Sequence, residues 1–89
     1  MPKPARGEVY AVTAGTYEGE FYVCIDIADD IIGVLILPEM VSTFVPRDEF
    51  VVGMNKNILE LQEALPVGIM NVCINQHNKN KNEKSLHRR

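Results

Sequence analysis

Five carboxylates crowd one short stretch of this chain: Glu18, Glu20, Asp26, Asp29 and Asp30. Paired carboxylates can divide the roles of acid and base or hold a hard cation, but catalysis needs one of them in a pocket with a raised pKa. Asp29-Asp30 follows an apolar run and precedes another, so it reads as a solvated turn, and no Asp-x-Asp-x-Asp-Gly calcium loop is present. Cys24, Cys73, His77 and His87 could in principle form a metal set. None of them shows the close Cys-x2-Cys or His-x3-His spacing of a structural zinc site. Ser42 and Thr43 have no histidine nearby in sequence, and neither a phosphate-cradling glycine loop nor a GxSxG turn occurs. The reading is therefore no enzyme, no metal and no cofactor.

Contact chemistry is better represented. Tyr10, Tyr17 and Tyr22 bring large, rigid side chains at low entropic cost, which suits a binding surface. Tyr10 and Tyr22 share the parity of the polar positions on their strands, which predicts a cross-strand pair on the outer face of a hairpin. With Glu18 and Glu20 they form the expected partner-binding set. Charge divides the chain of 89 residues unevenly. Residues 1–74 carry four basic residues against eleven acidic ones, a balance of −7, whereas residues 75–89 carry five basic residues against Glu83, a balance of +4. Lys79, Lys81, Lys84, Arg88 and Arg89 are thus the candidate contacts to nucleic acid. The acidic body opposes that role, because phosphate binding needs cations that displace counterions. Arg6, Arg47 and Lys56 could make an anion site only if the fold brings them together.

The elements that must position these residues follow from periodicity. Val9-Tyr10-Ala11-Val12 and Phe21-Tyr22-Val23-Cys24-Ile25 flank Gly15-Thr16-Tyr17-Glu18-Gly19 and read as a β-hairpin with a glycine-bounded loop. In the second strand Phe21, Val23, Ile25 and Ile27 alternate with Glu20 and Asp26, which predicts one solvated side. Ile31 to Leu37 is apolar on both faces and is expected at the centre of a sheet or under a second layer, with Pro38 ending it. Phe50, Met54, Ile58, Leu61 and Leu65 recur at helical spacing and predict one amphipathic helix between Pro46 and Leu65. Pro46, Asp48 and Glu49 suit its start, Gly53 weakens its middle, and Pro66 fixes its end. Val67 to Ile74 reads as a final strand. Residues 75–82 offer nothing apolar to bury, so 75–89 reads as a flexible basic tail behind a single globular domain, 1–74.

The hairpin resembles the start of a KOW motif, as found in SH3-like barrels of ribosomal and transcription-elongation proteins. The matching residues are Gly7, Val9, Val12, Gly15 and Gly19, followed by Val23, over about a fifth of the chain. Tyr22 stands where that family usually has a further glycine, and Glu18 and Glu20 stand where its loops are basic. The resemblance implies a small barrel and a contact to nucleic acid or a polymerase-type partner through the loop around Gly15 and Gly19, with Tyr17 stacking.

The expected fold class is α+β: a small, curved antiparallel sheet or SH3-like barrel with one amphipathic helix and a disordered basic C-terminal tail. The apolar fraction of 46% and charged fraction of 24% are those of a globular chain. No apolar run reaches the length of a membrane span, and no apolar core follows the N-terminal positive charge, which predicts a cytoplasmic protein without membrane contact. Cys24 and Cys73 are expected as buried free thiols. The expected function is noncatalytic binding of a macromolecular partner, a protein before nucleic acid, of the accessory type whose economy is common in bacterial and phage proteins. Its rivals are nucleic-acid binding through the KOW-like loop and tail, and small-ligand binding at the interface of a homo-oligomer.

Overall fold

The computed structural model describes residues 4–62 and 64–87, with side chains to residue 82. In chain order the elements are β1 (Val9–Val12), β2 (Phe21–Ile27), β3 (Ile31–Leu37), β4 (Val41–Pro46), α1 (Arg47–Asn55), β5 (Leu59–Leu61) and α2 (Val67–His87). The strands form one antiparallel sheet in the order β4-β3-β2-β1-β5. The sheet does not close: β4 and β5 are its two edges.

The hairpin of β1 and β2 pairs Val9 with Val23, Tyr10 with Tyr22 and Ala11 with Phe21. Gly15 and Gly19 both have positive φ, 97° and 89°, which is why the loop between them needs glycine. β3 is apolar on both faces because each face is covered. Ile32, Val34 and Ile36 join Tyr10, Val12, Cys24, Phe50 and Leu59 under α1. On the opposite face Leu35 joins Val9, Val23, Ile25 and Cys73 under α2. The domain is a sheet with one helix on each side, so the single expected helix and the final strand are both corrected.

The first correction concerns α1. It begins after Pro46 with Asp48 and Glu49 in its first turn, as expected, but stops at Asn55. Asn57 takes a left-handed conformation (φ 60°), the Asn57 amide bonds the Met54 carbonyl, and the Ile58 amide bonds the Gly53 carbonyl. This is a Schellman closure, with Asn in the left-handed position that Gly usually fills. Leu59–Leu61 then pairs with β1 as β5. Gly53 is not a weak point. A Cβ there would stand 3.0 Å from Leu59 Cδ1 and 3.1 Å from its Cγ, so the missing side chain lets β5 fold back on the helix.

The second correction is larger. Residues 67–87 are one continuous helix instead of a strand and a loose tail. Pro66 opens this helix: its carbonyl accepts the Met70 amide. A proline suits the start of a helix, where its missing donor would be unpaired anyway, as well as the position beyond its end, where it blocks continuation. Met70, Cys73, Ile74, His77, Asn80 and Lys81 follow helical spacing, and this stripe faces the sheet. Its C-terminal part is polar, which is why it looks like a tail. Arg88 and Arg89, and the side chain of Lys84, lie outside the described residues.

Candidate functional site

Two places bring chemistry-bearing side chains together, one on each face of the sheet. Under α2, His77 is 0% exposed and lies between Ser42 on β4 and Asp26 on β2. His77 Nδ1 is 2.8 Å from Ser42 Oγ, and Nε2 is 3.0 Å from Asp26 Oδ2. Asn80 Nδ2 donates to Ser42 Oγ (2.8 Å) and to the Met40 carbonyl (2.9 Å), Gln76 Nε2 donates to Asn80 Oδ1 (2.8 Å), and Lys81 Nζ donates to Asp26 Oδ2 (3.2 Å).

Three local features build this cluster. Strict alternation would turn Asp26 toward α1 with Tyr22 and Cys24, but the β2–β3 register slips between Cys24 and Asp26. A bulge of this kind re-aims the following side chain, so Ile25 and Asp26 both serve the α2 face. Gly33, opposite Asp26 on β3, leaves the space: a Cβ there would stand 3.1 Å from Asp26 Cβ and 3.1 Å from the Phe44 ring. Phe44 closes the gap from β4, with its ring centroid 6.2 Å from that of His77.

Electrostatics fix the protons. Burial lowers the His77 pKa, and the Lys81 charge adds to this against the opposing pull of Asp26, so the ring is neutral at pH 7. Burial works to raise the Asp26 carboxyl, but Lys81 and then His77 outweigh it and hold it below its usual value. A neutral ring beside a carboxylate donates from Nε2 and accepts at Nδ1. The Ser42 hydroxyl therefore donates a hydrogen bond to His77 Nδ1, and Asn80 donates to the Ser42 oxygen. A serine, a histidine and an aspartate thus stand in the order of a nucleophilic triad, although Ser42 and His77 are 35 residues apart in sequence. Ser42 is 5% exposed and its oxygen is already held by Asn80. The arrangement fastens α2 to the sheet and leaves little room for a substrate at the hydroxyl.

The other place is a cleft of about 390 Å3 on the α1 face. Val12, Tyr22 and Leu59 form its floor, Thr16 and Tyr17 of the β1–β2 loop one wall, and Val52 of α1 with Lys56 just past its end the other. Tyr17 and Tyr22 meet edge to face, with ring centroids 6.1 Å apart. Burial first, then the neighbouring Tyr17 and Glu20, raise the Tyr22 pKa, so its phenol remains a neutral donor.

Of the expected partner-binding set, Tyr17 and Tyr22 reach this cleft together. Tyr10 is opposite Tyr22 as predicted, but it is 1% exposed. α1 covers that face, Phe50 packs edge-on at 5.1 Å, and the phenol donates to Glu8 Oε1 at 2.8 Å. Tyr10 is thus a core residue and no surface contact. Glu18 is exposed on the loop, outside the cleft lining. Glu20 lies elsewhere, with a carboxyl raised by burial and by the Glu39 carboxylate beside it. Arg47 and Lys56 do not converge: they bracket α1, about 13 Å apart by helical rise, and Arg47 Nη1 bonds the Asp29 carbonyl. Lys79 is exposed on α2, whereas Lys81 is engaged with Asp26. Among the described residues no group of three metal-ligating side chains comes together, and no helix is long and apolar enough to cross a membrane. Cys24 and Cys73 are free thiols buried on opposite faces of the sheet. Comparison with known protein families, with curated proteins and with solved structures finds no match to this chain.

Proposed function

We propose that this chain is a noncatalytic binding module whose ligand is an apolar side chain, with its flanking backbone, of a partner protein. The observation that carries the reading is the Tyr17–Tyr22 cleft, where Tyr17 and the exposed Val52 stand over an apolar floor that includes Tyr22. Its size suits one or two side chains, and phenols that pack as well as donate are the residues that dominate protein contacts. The loop between Gly15 and Gly19, which carries the resemblance to KOW-type SH3-like barrels, also supplies Thr16 and Tyr17 to the cleft. β1 pairs with both β2 and β5 while α1 fills the β4–β5 connection, which supports a small barrel-like derivation of the sheet. Two buried free thiols agree with a reducing, cytoplasmic setting.

The reading is tested by capture from nuclease-treated lysate with the wild-type chain and with Tyr17→Ser and Val52→Glu. A protein held by the wild type and lost with both variants supports it. Nucleic acid recovered without nuclease, and lost on Lys79→Glu in place of Tyr17→Ser, would move the function to the basic side of α2. Capture unchanged by either cleft variant would remove the cleft from the function.

A further inference from the structure

The cleft between the β1–β2 loop and α1 carries a charge at each end of one wall. Glu49 and Val52 on α1 and Lys56 just past its end all line it, at the spacing of a single helical stripe. Glu49 and Lys56 are two turns apart, about 10 Å along the axis, which is beyond the one-turn spacing at which helical side chains pair. Both are exposed, and among the described residues every ion pair is made by Asp26. Neither charge is therefore neutralised by the other. The facing wall, with Thr16 and Tyr17, carries no charge, and the floor between the two ends is apolar. The cleft is negative at one end, positive at the other and apolar in the middle.

We propose that the partner segment seated here is itself dipolar, with a basic side chain at Glu49, an acidic one at Lys56 and the apolar anchor between them. This rests on the side-chain binding proposed above and names which segments that binding selects. An extended chain advances about 3.3 Å per residue, so three steps cover the distance between the two charges. The anchor is then one of the two residues in between. Charge complementarity argues against the other apolar segments. One with two acidic flanks meets Glu49 on a body, residues 1–74, whose charge balance is −7. One with two basic flanks is attracted to that body in general but is repelled by Lys56 at the cleft. Rim charges of this kind act on selection and orientation more than on affinity.

Fluorescence polarisation of the full chain with labelled, end-blocked peptides tests this. The probes are Gly-Lys-Leu-Ser-Glu-Gly and the same peptide with Lys, with Glu or with Ser at both charged positions. The wild type should bind the dipolar peptide roughly fivefold more tightly than the dibasic or the diacidic one, with the uncharged one between. In roughly 1 M salt, where charges are screened beyond about 3 Å, that preference should vanish while binding through the anchor persists. Lys56→Glu should make the dibasic peptide the best ligand and Glu49→Lys the diacidic one, and the two exchanges together should restore the dipolar preference. Each single variant gains a ligand, which a misfolded chain cannot imitate. Binding that Tyr17→Ser abolishes but that ignores the flanking charges overturns the dipolar selection and leaves the cleft an apolar binder. A wild type that prefers the dibasic peptide also overturns it, since attraction to the acidic body then explains the binding. If the wild type binds no peptide at millimolar concentration, the side-chain binding itself falls and the dipolar selection with it.

Discussion

Asp26 and His77 lie fifty-one residues apart in sequence, yet Asp26 Oδ2 is 3.0 Å from His77 Nε2. The contact depends on a bulge that turns Asp26 and on a glycine that clears its path. Gly33→Ala should therefore displace Asp26 and the Phe44 ring together, as Asp26 Cβ and the Phe44 ring both stand 3.1 Å from the added methyl and Asp26 Oδ2 stands 3.4 Å from it. Overpacking of this kind costs about 1–3 kcal/mol. Urea denaturation should show that loss, and an unchanged midpoint would mean that the bulge can relax without cost.

The same contact makes stability depend on pH in one direction. Folding holds His77 below its ordinary pKa of 6.5, so below that pH the unfolded chain binds the extra proton and the folded state loses ground. Asp26, held below its ordinary 3.8, contributes stability above that value and loses it as pH falls through the folded pKa. Both groups favour folding at neutral pH and oppose it in acid. The wild type should lose stability between about pH 7.5 and about pH 5.5, and His77→Gln should flatten that slope. Parallel slopes would mean that the ring is not held neutral.

The hairpin, its register and the two-sided burial of β3 were legible because each rests on alternation in apolar sequence. The Tyr17–Tyr22 contact was partly legible, but the burial of Tyr10 was not, since nothing local says that α1 lies on that face. α2 was hidden for a different reason. Its sheet-facing residues beyond Ile74 are His77, Asn80 and Lys81, which are held by hydrogen bonds, and a hydropathy pattern does not register polar contacts. Helical spacing of four and three from Cys73 through His77 to Asn80 was the available signal.

If α2 is structural, removing its polar half must weaken the domain. A chain ending at Ile74 loses the partners of Asp26 and Ser42 and the Asn80 bond to the Met40 carbonyl. At about 1 kcal/mol for each of these four hydrogen bonds, the loss should be about 4 kcal/mol. Thermal and urea unfolding of the two chains would show it. Equal stability would return residues 75–87 to the status of an appendage.

Gly53→Ala sets two principles against each other. Helix propensity favours alanine by about 1 kcal/mol, but the added methyl would meet the buried Leu59 side chain at 3.0 Å. Leu59 packs in the core with Phe50 and has little room to yield, so the net effect should be a loss of about 1 kcal/mol. A gain in the urea midpoint would show that β5 can move away from α1.

The two thiols allow each face of the sheet to be followed separately. Cys24 lies under α1, where burial and then the Glu8 charge push its thiol up to about 12. Cys73, raised by burial, is on the sheet-facing side of α2. Neither should react quickly with an aromatic disulfide in the native protein, and both should react at once in urea. The variants that loosen the Asp26–His77 contact should change this in only one place. In His77→Ala and Gly33→Ala, α2 should lift more often, so Cys73 should react faster by roughly tenfold or more while Cys24 keeps its native rate. Equal acceleration at both thiols would mean that the domain opens only as a whole, and that the polar cluster contributes to global stability without holding α2 as a separate unit.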